Sequence, residues 1–93
     1  MRYPEGPGWI DETTSREAAH AIAAHADSLR EATFAILSRW ALTADEVADL
    51  LHESVLSIRP RVTELYKSEL IDRTGERRRN RSGLFAHVYR GVL

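Results

Sequence analysis

Residues 42–93 decide the fold of this chain, and they read LTADEVADLLHESVLSIRPRVTELYKSELIDRTGERRRNRSGLFAHVYRGVL. The stretch begins with a capping box, in which Thr43 and Glu46 each satisfy a free amide at a helix start. Asp45 adds a second carboxylate at the positive end of the helix dipole. These residues predict a helix to about His52, followed by a short turn, a second helix and a β-hairpin.

The start of the second helix depends on Pro60, because proline has no N–H to donate within a helix. If Ser57 is the N-cap, Pro60 lies in the first turn, where the N–H groups have no partner anyway. If Ser54 is the N-cap, Pro60 lies inside the helix and a backbone hydrogen bond is lost. We therefore predict a regular helix from about Ser57 to about Glu69, with a looser turn from Ser54 as the alternative.

Two further helices are predicted before this stretch. Thr14 or Ser15 can cap an alanine-rich helix, and Ser28 with Glu31 forms the capping box of the next helix. Alanine side chains allow close approach but bury little area, so the first of these helices must pack on something. It is either a bracket on the main domain or a contact between two subunits.

Residues 1–12 contain prolines and glycines and are predicted to form a flexible N-terminal arm. Trp9 and Ile10 are apolar residues at the base of this arm, so we expect them to dock on this domain or on a second subunit. Residues 13–93 are then one domain with an N-terminal helical extension. A homodimer through the arm and the alanine-rich helix is one of the expected assemblies.

Residues that follow the helical period of 3.6 predict the core. They are Leu29, Thr33, Ile36, Leu37, Trp40, Val47, Leu50, Leu51, Ile58, Val62, Leu65 and Tyr66. Residues 70–71 and 86–89 are predicted strands, joined by a long mobile tip that holds Gly75, several arginines and Gly83. The predicted fold is mainly α with a small antiparallel β-hairpin, that is, an α+β arrangement of three core helices plus an N-terminal helix.

The composition argues against several classes of function. Apolar residues make up 43% and charged residues 29%, and there is no cysteine for a disulfide, a thiolate nucleophile or a zinc site. The histidines do not form a ligand set; they are His20, His25, His52 and His87. We therefore expect no enzyme activity, no metal and no cofactor. Without an apolar run of about 18 residues or a signal-peptide core, we also expect a cytoplasmic location and no membrane partner.

The net charge of −1 conceals an asymmetry between the two parts of the chain. Residues 1–58 carry a net charge of −6, whereas residues 59–93 carry +5. Such a split is typical of a protein with one surface that faces a polyanion, although a solvated, salt-bridged exterior is the alternative.

A helix-turn-helix binds DNA through its second helix in the major groove, beside which a hairpin reaches phosphates or the minor groove. Polar and basic residues of these two elements are the predicted contacts with double-stranded DNA: Ser57, Arg59, Arg61, Thr63, Lys67, Arg77, Arg78, Arg79 and Arg81. If about five of the C-terminal cations meet phosphates, the log–log salt slope is about −4 to −5. The alternatives are a solvated hairpin tip and ion pairs of Arg59 and Arg61 with Glu64, Glu46 or Asp45.

The segments LTADEVADLL, HESVLSIRPRVTELYKSELI, DRTGERR, NRSG and AHVYR resemble small winged helix-turn-helix proteins of bacterial and prophage genomes. TSREAA and the alanine-rich helix after it are similar to the leading segment of the same phage-associated group. The resemblance covers most of residues 13–90 and implies a right-handed three-helix core with a small sheet formed by Leu42 and the wing. It also implies a recognition helix over Ser57–Leu70 and a wing over Asp72–Arg90. Glu69 departs from the pattern, because glycine is common there and favours the left-handed turn that ends the helix.

Two functions from different classes follow from these features. The first is a double-stranded DNA-binding protein, a phage-type transcriptional regulator that acts as a dimer and without catalysis. Winged helices serve in many roles, as repressors, excision factors, replication proteins and packaging subunits. The second function is therefore a protein-interaction module. In that case the acidic N-terminal half and the arm with Trp9 are the working surfaces.

Overall fold

Three helices followed by a two-stranded antiparallel sheet form the computed structural model, which describes residues 12–92 and the side chains of residues 18–92. In chain order the elements are α1 (Glu12–Leu37), α2 (Ala44–Leu51), α3 (Val55–Lys67), β1 (Ile71–Arg79) and β2 (Phe85–Gly91). The prediction of a small α+β fold is confirmed, and the order of the elements agrees with that of a winged helix. The predicted arm, including Trp9 and Ile10, lies outside the described residues apart from Glu12.

The α1 helix replaces the two helices predicted for this part of the chain. It runs without a break for 26 residues, a length of about 39 Å. The predicted start at Ser28 is wrong, because residues 13–37 contain no glycine or proline and are rich in alanine, the residue that favours helix most. Asp27 and Arg30 instead form an ion pair one turn apart, at 2.6 Å. No separate N-terminal helix is present in the described chain.

The core lies where the second half of α1 packs against α3, with α2 and the sheet closing two sides. Its buried apolar residues are Leu29, Leu37, Val47, Ala48, Ile58, Val62, Leu65, Ile71 and Val88. Most predicted core positions are confirmed, but Trp40 and Leu50 are exposed. Trp40 follows the end of α1, where the chain turns away, and its ring instead lies 5.4 Å from the Arg39 guanidinium.

The capping box that was predicted for α2 is present. The Thr43 hydroxyl accepts a hydrogen bond from the Glu46 amide at 3.1 Å, and the Glu46 carboxylate accepts one from the Thr43 amide at 2.9 Å. The helix ends at His52, which adopts the left-handed conformation with φ 54°.

The predicted start of α3 at Ser57 is wrong, because Ser54 is the N-cap and Pro60 lies inside the helix. The Ser54 hydroxyl accepts from the Leu56 amide at 3.1 Å, and the Ser54 carbonyl accepts from both Ser57 and Ile58. These bonds offset the one that Pro60 cannot donate to the Leu56 carbonyl. Leu56 and Pro60 are both on the exposed side of the helix, so water can hydrate that carbonyl.

The end of α3 forms a left-handed turn even though glycine is absent. Glu69 has φ 62°, and its amide donates to the Tyr66 carbonyl at 3.0 Å. The Leu70 amide donates to the Leu65 carbonyl at 3.0 Å, which completes a Schellman motif. The recognition helix, predicted over Ser57–Leu70, therefore spans Val55–Lys67.

The hairpin differs from the prediction in the length of its strands. β1 continues through Gly75, which has φ 92°, to Arg79, and pairs with β2 across an irregularity between Arg73 and Arg77. The predicted long mobile tip over these arginines is wrong, because the connection between the strands is residues 80–84 alone. Leu42 forms an isolated bridge with Tyr89, so the predicted contact of Leu42 with the hairpin is confirmed.

Among residues 12–92, no helix is both long enough and apolar enough to span a membrane.

Candidate nucleic-acid interface

The outward face of α3 is a continuous exposed stripe. Leu56, Arg59, Pro60, Thr63 and Lys67 are all exposed, whereas Ser57 is half-buried. The buried residues of α3 lie on the opposite side and pack into the core. A stripe of this kind follows from the helical period and leaves one full face of the helix available to a partner.

Arg59 leans from this stripe toward α2. Its Nε and Nη2 atoms donate to Oδ1 and Oδ2 of Asp45, both at 2.9 Å. These hydrogen bonds, together with the charge of Asp45, raise the pKa of Arg59. The ion pair is one of the alternatives that the sequence left open.

Arg61 pairs with a carboxylate of its own helix. Its side chain is only 16% exposed, and its Nη2 donates to Oε2 of Glu64 at 3.0 Å. Arg30 on α1 also donates to Glu64, from Nε to Oε1 at 3.0 Å. Burial alone would raise the pKa of Glu64, but the hydrogen bonds from Arg30 and Arg61 outweigh it and lower that pKa. Glu64 therefore joins Arg61 of its own helix to Arg30 of α1, and the structure does not bring Arg61 together with Arg59.

Two of the hairpin arginines predicted to contact DNA face carboxylates of α2. Arg78 donates from Nη1 to Glu46 at 2.7 Å and from Nη2 to the Ala41 carbonyl at 3.4 Å. Arg81 lies in the connection between the strands, with Nη2 3.6 Å from Oδ2 of Asp49. We call Asp45, Glu46 and Asp49 the α2 acidic row; its three carboxylates face Arg59, Arg78 and Arg81 in turn.

Three arginines of β1 lie on the other face of the hairpin, and we call Arg73, Arg77 and Arg79 the hairpin arginine face. They are the cross-strand partners of Tyr89, His87 and Phe85, and directly paired residues share one face of a sheet. Among residues 18–92, none of the three forms an ion pair with a carboxylate.

Aromatic rings support two members of the hairpin arginine face. The Arg73 guanidinium lies 4.7 Å from the centre of the Tyr66 ring on α3, and that of Arg79 lies 5.1 Å from the Phe85 ring. Cation–π contacts hold these side chains in place without cancelling their charge. The guanidinium groups therefore keep hydrogen-bond donors for an anionic ligand.

An open groove separates this face of the hairpin from α3. Arg59 and Thr63 line one wall, and Phe85, His87 and Tyr89 line the other. The Thr63 hydroxyl donates to the Arg59 carbonyl at 3.1 Å, which leaves its methyl group to the surface. The groove joins the exposed stripe of α3 to the basic side of the hairpin.

Sequence reasoning missed Arg73 and His87 as members of this surface. The period-two spacing of Arg77 with Arg79, and of Phe85, His87 and Tyr89, was a usable signal for a shared strand face. Arg73 was hidden by the irregularity at Gly75, which shifts the register between the strands. Burial is the main cause that lowers the pKa of His87, and the charges of Arg73 and Arg77 lower it further.

Lys67 stands at the exposed end of α3, close to Glu69 and Asp72, and pairs with neither.

The described part of the chain contains no group of three His, Asp or Glu side chains arranged as metal ligands. Comparisons with protein-family models, with curated proteins and with solved structures gave no match. The function is therefore inferred from the geometry and the charge of this chain alone.

Proposed function

We propose that this chain is a winged helix-turn-helix module that binds double-stranded DNA, with α3 in the major groove and the hairpin on phosphates. The observation that carries this proposal is the hairpin arginine face: three arginines without a carboxylate partner in the described chain, on the side of the hairpin that faces α3. Cations left unpaired in a domain with net charge −1 favour an anionic partner.

The spacing of these arginines suits a phosphate backbone. Residues two apart on a strand, such as Arg77 and Arg79, lie about 7 Å apart, a separation that suits neighbouring phosphates of one DNA strand. Arginine also offers several N–H donors in a fixed plane, which phosphate oxygens accept well. Contacts of this kind hold the domain on DNA but do not read its sequence.

In this proposal the exposed stripe of α3 recognises the DNA sequence. The major groove, about 12 Å wide, admits a helix, and apolar side chains can contact the methyl group of thymine. Leu56 and the Thr63 methyl group can supply such contacts, and Arg59 can reach guanine when it leaves Asp45. We assign Arg61 and Arg78 a structural role, because each is held by carboxylates of the same chain.

A phage-type transcriptional regulator in the cytoplasm is the biological role that we propose for this module. One small module seldom makes enough contacts for high specificity, so we also propose that it acts as a homodimer.

The direct test is fluorescence anisotropy with a random-sequence duplex at about 50 mM salt and up to about 10 µM protein. Replacing Arg73, Arg77 and Arg79 together by Gln should abolish binding. The matched control is Arg39→Gln, which removes one exposed cation in the α1–α2 connection and should change affinity little. The proposal fails if the natural sequence does not bind, or if the triple variant binds equally well.

A protein-interaction module is the second candidate, and exposed apolar side chains favour it. Leu56 at the start of α3 is 78% exposed, and Leu84 and Phe85 at the hairpin tip are 72% and 59% exposed. Selection of bound oligonucleotides from a random pool separates the two candidates. An enriched motif supports DNA binding, whereas no enrichment, together with partner capture that Leu84→Ser plus Phe85→Ser abolishes, supports the protein module.

A further inference from the structure

His87 occupies the middle of the hairpin arginine face. It is the cross-strand partner of Arg77 in the middle of β2, and its ring lies 6.3 Å from the Tyr89 ring. Its side chain is half-buried and lines the groove opposite Thr63 of α3. An anion that bridges the arginines would therefore also meet the imidazole.

Charged groups from three elements surround His87 in the groove. Arg73 and Arg77 approach from β1, Arg59 from α3 and Asp45 from α2, while Tyr89 is the neighbour on β2. Asp45 is already engaged by Arg59 at 2.9 Å. The cations that act on His87, Arg73 and Arg77, have no carboxylate partner among residues 18–92.

We propose that His87 is a proton-linked ligand for nucleic-acid phosphate, so that binding of DNA to the hairpin arginine face takes up a proton and strengthens as the pH falls. This inference rests on the proposed DNA-binding function and adds a regulatory property to the same site.

The physical reason is the reversal of charge around the imidazole. In the free protein, burial and two neighbouring cations favour the uncharged imidazole, so they lower the pKa of His87. A phosphate neutralises those cations and brings a negative charge to the same place, which favours the protonated ring. Binding and protonation then favour each other by the same factor, because coupling between two sites is reciprocal.

The test compares the affinity for one duplex between about pH 8 and about pH 6, the range in which histidine titrates. We expect the natural sequence to bind severalfold more tightly at the lower pH; a rise of about one unit in the pKa of His87 sets a limit of about tenfold. His87→Gln should lose the gain between the two pH values, whatever its affinity at the higher pH. His20→Gln, which removes an exposed histidine of α1, is the matched control and should keep the gain.

A second readout follows the imidazole itself, by NMR titration of the His87 C2 proton with and without the duplex. A higher pKa in the complex supports the inference. If DNA binds but the affinity is independent of pH, or if His87→Gln retains the gain, this inference is wrong while the DNA-binding proposal survives. If no duplex binds at any pH, both proposals are wrong.

Discussion

The guanidinium group of Arg59 forms two parallel hydrogen bonds with the carboxylate of Asp45, each 2.9 Å long. Arg59 belongs to the exposed stripe of α3, and Asp45 lies in the first turn of α2. Arg59, which we expect to contact DNA bases, is therefore already paired with a carboxylate of its own chain. A phosphate or a base has to replace this carboxylate before it can use Arg59.

Replacing Asp45 by Asn should therefore strengthen DNA binding. A surface ion pair contributes up to about 1 kcal/mol, so its removal should improve the affinity about fivefold. The same change removes the ion pair and also a carboxylate at the positive end of the α2 dipole, so the free energy of unfolding should fall by about 1 kcal/mol. Anisotropy and urea unfolding measure the two effects.

The control for this variant is Asp49→Asn, because the distance from Asp49 to Arg81 is longer, at 3.6 Å, and Arg81 is 93% exposed. Its effect on affinity should be smaller. Weaker binding by Asp45→Asn would mean that the carboxylate orients Arg59 for DNA instead of competing with it.

The salt dependence of binding should be milder than the sequence suggested. Arg78 and Arg81 face carboxylates, which leaves Lys67 and the hairpin arginine face as the main phosphate contacts. About four contacts give a log–log slope of about −3 to −4. Removal of one of these contacts, in Arg77→Gln, should make the slope less steep by about one. An unchanged slope in a single variant, Arg77→Gln, would exclude that arginine from the interface.

Thr33 carries a buried hydroxyl without a hydrogen-bond partner among the described residues. Replacement by Val keeps the shape of the side chain and removes the unpaired polar group, so stability should rise by about 1 kcal/mol. Urea unfolding provides the measurement. Thr33→Ser, which keeps the hydroxyl and removes a methyl group, should be less stable than the natural sequence. A loss of stability in Thr33→Val would show that the hydroxyl has a partner in solution.

Glu69 and His52 both adopt left-handed conformations that favour glycine, with φ of 62° and 54°. Glu69→Gly should raise the free energy of unfolding by about 0.5–1 kcal/mol, because the strain at Cβ exceeds the entropic cost of glycine. Ser68→Gly is the control, since Ser68 has φ −82° and gains nothing from glycine. Equal effects of the two substitutions on the thermal midpoint would contradict this reasoning.

His87 should make the fold less stable in mild acid. Because its pKa is lower in the folded state than the ordinary value of 6.5, the unfolded chain binds the proton first as the pH falls. Its contribution to stability is complete above the unfolded pKa and decreases as the pH falls from there toward the folded pKa. The urea midpoint of His87→Gln should depend less on pH in this range than that of the natural sequence. Parallel profiles for the two proteins would contradict the lowered pKa.

The local elements of this chain were largely determined by the sequence. The capping box of Thr43 and Glu46, the buried positions Ile58, Val62 and Leu65, and the bridge of Leu42 to the hairpin are present. Each depends on neighbouring residues or on a simple period, and the physics of caps and amphipathic helices is local.

Tertiary structure decided between two alternatives that the sequence left open for Arg59 and Arg61, namely contact with DNA and an ion pair with a carboxylate of the same chain. Arg59, Arg61 and Arg78 are basic residues of similar local context, but each pairs with a carboxylate that lies on another element or one turn away. The hairpin arginine face arises because β1 continues through Gly75 with a shift in register. Ion pairs and cross-strand faces depend on which elements meet in space, so only the folded chain separates the arginines that its own carboxylates hold from those that remain available to a partner.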